Sequence, residues 1–242
     1  RRDTIAQIYS MTKPVTGVAL MQLWEAGKFH LDDPLAKYLP EYAEMRVYAG
    51  KDAAGQPRYV PAERPITVRD ILRHTAGFAY GAGPTPAHDA YVAAEPLALT
   101  IPLAEASKRL ARVPLLFQPG TQWEYSIAVD VQAALVEKLS GQPFAAYVQT
   151  HIFEPLKMRE TAWRQPDARL PRFAAMNVKK DGKLIQQTAA EAQTLNFRDH
   201  ALTPGGFGLA STLDDYQRFA RMLLNKGELD GARILTPSTI KL

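Results

Sequence analysis

The sequence predicts an α/β (α+β) chain in which helices outweigh strands. Three observations carry this. A strand-like run at residues 4–9, TIAQIY, passes directly into a long apolar segment. Helical segments, several with cap or stop residues, then recur near 66–74, 101–112, 126–140, 143–152 and beyond Thr212. Strand signals are sparse: past residue 9, Asp181-Gly182 between AMNVK and KLIQQ is the clear hairpin signal. The 242 residues allow one large domain or two small ones, and 46% hydrophobic residues suffice for a core.

The elements follow in order. Residues 10–26 are apolar almost all round (Met11, Val15, Val18, Ala19, Leu20, Met21, Leu23, Trp24), as in a central buried helix. Gly27 suits its C-terminal cap. Pro14 is tolerable only if the helix begins near Ser10, where its missing N–H falls in the first turn. Residues 31–65, with prolines at 34, 40, 57, 61 and 65, read as loop. Thr67 with Asp70 forms a capping box, and Ile66 can staple to Ile71. That helix ends at His74-Thr75-Ala76-Gly77. Residues 77–88 read as a Gly/Pro-rich loop in which Phe78 and Tyr80 are candidate pocket lining or a plain surface excursion.

A helix at 101–112 stops before Pro114, and Pro119-Gly120 makes a turn. Ser126 is expected to cap the helix that Gly141 terminates, and Asp130 to serve its first turn. Pro143 opens one more helix, and 154–172 read as irregular. Gly205-Gly206-Phe207-Gly208 leads to Ser211 and Thr212, each with an Asp three residues on. A helix follows with Tyr216, Phe219, Met222 and Leu223 inward. Thr236-Pro237 starts a last helix that stops about one and a half turns later, and the chain opens Arg1-Arg2-Asp3 without Met. The sequence therefore reads as a segment cut at both ends of a longer protein.

Bulk features exclude several classes. The net charge of +4 comes from 29 basic and 25 acidic residues that are interspersed, with no run of five like charges. That is a solvated surface rather than a nucleic-acid tail. No apolar run approaches the ~18 residues of a membrane span. With no cysteine, disulfides, thiolate metal sites and a cysteine nucleophile are absent. The histidines at 30, 74, 88, 151 and 200 lack metal-ligand spacing, and His74 reads as structural. No G-x-S-x-G elbow, phosphate loop or dinucleotide fingerprint occurs. The glycines at 205–208 read as a close backbone approach rather than a phosphate cradle.

One motif carries chemistry. Ser10-Met11-Thr12-Lys13 sets a hydroxyl and an amine three residues apart, so on a helix both lie on one face. A serine beside a base is the core of an acyl-transfer enzyme. The spacing alone arises about once by chance in such a chain, with Ser at ~7% and Lys at ~6% of residues. Ser238-Thr239-Ile240-Lys241 duplicates it. On spacing, an N-cap serine with a snorkelling lysine fits as well. Ser10 differs from Ser238 in following an apolar strand-like run and opening a buried helix. It also has a possible partner in Tyr125, in the loop WEYSIAVD; alone, that tyrosine reads better as packing at the start of a helix, with Ser126 as the cap.

Four ordered blocks resemble the serine β-lactamase-like superfamily, and within it the class C branch and the family VIII carboxylesterases and acyltransferases. They are IYSMTKPVTGVALMQLWEAGKFHLDDPLAKYLPE, ITVRDILRHTAGF, PLLFQPGTQWEYSIAVD and GGFGLASTLDDYQRFARMLL. The resemblance implies a β-lactamase/transpeptidase-like fold, a helical region packed on an antiparallel sheet with the site in the crevice between them. It implies residues 1–30 in the α/β region, 31–203 mostly helical, and 204–242 returning to the α/β region. It makes Ser10 the acylated nucleophile, with Lys13 and Tyr125 as its base. A phenol must fall about three pKa units, roughly 4 kcal/mol, to act near neutrality. One cation at about 4 Å supplies roughly that at an effective dielectric near 20. A charged Lys13 beside a Tyr125 phenolate and a neutral Lys13 as base both stay open.

The backbone N–H of Ser10 is the expected first oxyanion donor. Where penicillin-processing relatives carry Tyr-x-Asn, this chain has Ile127 after Tyr125-Ser126, which points toward esters. A third motif with the second oxyanion donor is expected beyond Leu242. The implied activity is a serine hydrolase acting on a small-molecule ester or amide, with no metal or cofactor. A β-lactamase or D-amino-acid-specific peptidase, an acyltransferase and a non-catalytic binding protein are the alternatives.

Overall fold

The computed structural model describes residues 1–81, 83–187 and 195–242. Its organising element is helix α5 (Ala128–Ser140), nine consecutive residues of which, Ala128 to Val136, are buried. A helix buried on every side needs neighbours all round. Against it pack α1 (Thr12–Glu25), α2 (Val68–Arg73), α4 (Leu103–Ala111) and α6 (Phe144–Val148). Gly141 in the left-handed conformation ends α5, as expected. The expected cap at Ser126 is displaced by one residue: Ile127 is the N-cap residue, and its apolar side chain makes no cap bond, while the Ser126 hydroxyl lies 3.1 Å from His74 Nδ1 and accepts from the Ala128 N–H at 3.4 Å.

The strand-like start shortens to β1 (Ile5–Gln7), followed by a 3-10 turn at Tyr9–Met11 that carries Ser10 into α1. β1 pairs antiparallel with β6 (Ala210–Thr212), Ile5 opposite Thr212 and Gln7 opposite Ala210. This pairing brings the 205–209 loop against the first turn of α1. The Ile8 N–H donates to Leu209 O at 2.9 Å, and Thr16 Oγ1 donates to Gly205 O at 2.7 Å. Thr212 caps the next helix, α7 (Leu213–Leu224), accepting from the Asp215 N–H, while Ser211 lies within β6. The Asp181-Gly182 hairpin forms as expected between β4 (Asn177–Lys180) and β5 (Lys183–Gln186). Both turn residues have positive φ, 50° and 77°.

Two elements correct the sequence reading. Residues 31–65 are not all loop: β2 (Arg46–Lys51) and β3 (Pro57–Pro61) form an antiparallel pair. The prolines that argued against strand lie at the two ends of β3, where few ladder donors are lost. The Asp52 carboxylate closes the turn by accepting from the N–H groups of Ala54 and Gln56. Residues 86–94 form a helix, α3 (Pro86–Ala94), begun by Thr85 with Pro86 at its first position. The lure was the glycine and proline density just before it.

Gly77 is one glycine the fold requires. Its φ is +92°, and a Cβ there would stand 2.6 Å from Phe117 O and 3.0 Å from Leu115 Cβ. Gly77→Ala is expected to cost about 2 kcal/mol or more through left-handed strain and backbone collision. A urea titration checks this as a lower midpoint with unchanged slope; an unmoved midpoint would refute it.

Candidate active site

Ser10 is exposed at the end of a bent approach. The preceding residue, Tyr9, holds φ at +43°, a costly value for a residue with a side chain. The 3-10 turn then lifts the hydroxyl out of the β1 direction. Ser10 is not the helix cap: Met11 occupies that place, and no side chain caps α1. The N-cap reading of the motif is thereby removed. The duplicate at Ser238 sits in a helix of five residues, α8 (Pro237–Lys241), where its hydroxyl joins Thr236 Oγ1 at 2.9 Å in a local cap network.

Lys13 turns back one helical turn to Ser10. Its Nζ donates to Ser10 Oγ at 3.1 Å and to Gly206 O at 2.8 Å. It also lies 4.6 Å from the Tyr125 ring centroid and 5.1 Å from that of Tyr80. An ammonium has three donors and gains from aromatic faces, so this environment suits a charged amine. Tyr125 completes the group. Burial pushes its phenol up, but hydrogen bonds with Lys13 and Ser10 and the Lys13 charge outweigh this, leaving it below the usual phenol range. The three residues singled out by the sequence thus converge on one point of the surface.

The tyrosine loop is held by His74, which ends α2 in the left-handed conformation with φ 58°. His74 O accepts from the Glu124 N–H at 3.0 Å, and its Nδ1 accepts from the Ser126 N–H at 3.2 Å. Its ring lies 5.1 Å from Tyr125 and 6.1 Å from Trp123, centroid to centroid. Burial, and then the Lys13 charge, hold the imidazole below its usual value, which keeps Nδ1 free to accept. The structural reading of His74 holds, but its part in presenting Tyr125 had no signal in the sequence. Tyr80 is pocket lining, 5.5 Å from the Tyr125 ring, whereas Phe78 is core and packs edge-on against Tyr42.

Asp130 does more than serve a helix terminus. It is 5% exposed, and its Oδ1 accepts from the N–H groups of Gly205 and Gly206 at 2.9 and 3.1 Å. The two glycines make the close approach expected of them: a Cβ on Gly205 would stand 2.4 Å from Val129 O. Ile127 is buried, and with Tyr80, Tyr91, Glu95, Pro96, Leu97 and Ala98 it lines an open cleft of about 360 Å³ beside the site. Its side chain offers nothing polar at that wall. No described helix is long and apolar enough to cross a membrane.

Comparison with known proteins gives the family and the fold. Residues 1–241 match the family model described as Beta-lactamase. Protein Rv1367c of Mycobacterium tuberculosis is 35% identical over 252 aligned positions, covering 100% of this chain and 59% of the relative. Esterase EstB of Burkholderia gladioli is 36% identical over 166, covering 66% of this chain and 38% of the esterase. Unliganded simvastatin synthase (LovD) from Aspergillus terreus, as its selenomethionyl derivative, superposes with a TM-score of 0.81 at 27% identity, covering 100% of this chain and 58% of the synthase. The chain therefore spans less than two thirds of the length of each. It has the β-lactamase/transpeptidase-like fold, and by its match from end to end the chain belongs to the beta-lactamase family.

Proposed function

We propose that the protein is a serine hydrolase acting on ester bonds through an acyl-enzyme on Ser10. The observation that carries this is the contact of Lys13 Nζ with Ser10 Oγ at 3.1 Å, beside a phenol that both groups hydrogen-bond. In acylation the Ser10 oxygen bonds to the carbonyl carbon and the ester C–O bond breaks. The Ser10 proton passes to the Tyr125–Lys13 pair and from there to the leaving alcohol. Water then adds to the acyl carbon, gives its proton to the same pair, and Ser10 recovers it as the acid leaves. The lysine's tie to Gly206 O fixes its direction, so little reorganisation is needed at the moment of transfer.

The apolar side chain of Ile127 favours esters over β-lactams, because it offers no hydrogen bond to a lactam's side-chain amide. Similarity to a protein named an esterase points the same way. Similarity to a simvastatin synthase supports a second reading, transfer of the acyl group to an added alcohol in place of water. The intact protein is expected to turn over short-chain p-nitrophenyl esters much faster than a chromogenic cephalosporin. Fast cephalosporin turnover without esterase activity would refute the ester reading. Acyl transfer to an added alcohol that outpaces hydrolysis would decide for the transferase.

A further inference from the structure

No step of acylation uses Asp130, although it lies one layer behind the lysine. Its Oδ1 holds the Gly205 and Gly206 N–H groups, while Gly206 O receives Lys13 Nζ. Its Oδ2 is buried and has no hydrogen-bond partner among the described residues. A Cβ built on Gly206 would lie 2.8 Å from Asp130 Oδ2, 2.8 Å from Tyr80 Oη and 3.5 Å from Lys13 Nζ. Three polar groups from three parts of the chain therefore converge on the spot that Gly206 leaves open. A buried carboxylate with one orphaned oxygen is costly. An amide oxygen would serve the two glycine N–H groups as well, so holding the turn does not by itself call for a charge.

The groups facing Asp130 identify what the charge acts on. Lys13 faces it from α1, Tyr80 from the loop after α2, and Tyr42, which feels its charge, from the turn at Pro40–Tyr42. Lys13 is the cation in that set. We propose that Asp130 is a positioning residue that holds Lys13 as an ammonium over Ser10, leaving Tyr125 as the proton acceptor, and that protonating Asp130 turns the site down. This rests on the reading of Ser10, Lys13 and Tyr125 given above. It selects one of the two proton placements that the motif leaves open. Burial pushes the Asp130 carboxyl up to about 6, against the pull of the Gly206 N–H, the Lys13 charge and the Gly205 N–H.

The test measures kcat/KM for p-nitrophenyl acetate and fluorophosphonate labelling of Ser10 from pH 5 to 9, on the intact protein and on Asp130→Asn. The parent is expected to lose activity on the acid side with a midpoint near 6. Asp130→Asn is expected to be at least about tenfold slower at pH 8, since a Lys13 amine no longer drawn to its place over Ser10 is misaligned for the chemistry, and small misplacements of a reacting group cost that much or more. It should also lose that acid limb and keep the parent's thermal midpoint. A residue of structural value alone would lower the midpoint and leave the limb in place. A parent profile without an inflection between pH 5 and 7, or an Asp130→Asn profile identical to the parent's, overturns the proposal. If Asp130→Asn does not fold, carbon-13 titration of the Asp130 carboxyl must share the midpoint of the parent's limb, and a different midpoint overturns it. Ser10 that never labels refutes the nucleophile and this proposal together; labelling without the limb refutes this proposal alone.

Discussion

Ser10→Ala is expected to abolish ester turnover, and Lys13→Ala and Tyr125→Phe each to slow acylation by at least about 10²-fold, the usual scale for lost acid–base help. The two base variants should fail differently. Lys13→Ala removes the donor to Ser10 Oγ, the tie to Gly206 O and the charge that lowers the Tyr125 phenol. The phenol would then return toward its ordinary value, and any remaining rate should climb with pH toward 10. Tyr125→Phe keeps the ring that Lys13 lies against and its packing on His74. Its loss should therefore appear in the chemical step, with folding intact and little recovery at high pH. Pre-steady-state release of p-nitrophenol reads acylation directly. A parent-like burst rate in either variant would remove that residue from the proposed base, and turnover by Ser10→Ala would remove the nucleophile.

Local chemistry was legible in the sequence, and long-range chemistry was not. The capping box at Thr67 and Asp70 forms with both of its bonds, and the Asp181-Gly182 turn sits where the dipeptide placed it. Each is decided within a few residues, so no distant contact is needed to form it. The pair Ser10 and Lys13 is local in the same sense, one helical turn apart. Tyr125 stands 115 positions from Ser10, and what pointed to it was the ordered family-like blocks, since a tyrosine before a helix has no distinctive periodicity. Asp130 was read as an ordinary first-turn acid because its partners, Gly205 and Gly206, lie 75 and 76 residues away. β2 and β3 were missed for a related reason: proline density says where ladder donors are absent, but not that those positions fall at strand ends. His74 shows the same limit, since its contacts with Trp123, Tyr125 and Ser126 exist only in the folded chain.

Asp70→Ala is expected to be among the most destabilising single substitutions in this chain, by about 2 kcal/mol or more, the scale for losing a helix cap and stranding the partners of a buried carboxylate. The carboxylate is 6% exposed and accepts from Arg64 through both oxygens, at 2.7 and 3.0 Å. It also accepts from the Thr67 N–H and Oγ1 and from Thr75 Oγ1. Burial alone would raise its pKa, but these bonds outweigh it, and the carboxyl sits below its usual value. A carboxyl depressed in the folded state contributes stability above its unfolded pKa of about 3.9, which is lost as pH falls through the folded value. Acid should therefore narrow the gap between the parent and Asp70→Asn, while leaving Asp70→Ala still short of its cap. The damage should also reach the site. Asp70 O accepts from the Thr75 N–H, Thr75 O accepts from the Gly120 N–H, and His74 between them carries the Tyr125 loop. Below its unfolding temperature the Ala variant should thus retain Ser10 labelling but acylate more slowly, because Tyr125 is held less firmly. Chemical denaturation at pH 7 and well below the unfolded carboxyl pKa, at about pH 2, separates the charge from the cap; equal midpoints for parent and Ala variant at pH 7 would show that α2 does not depend on this carboxylate.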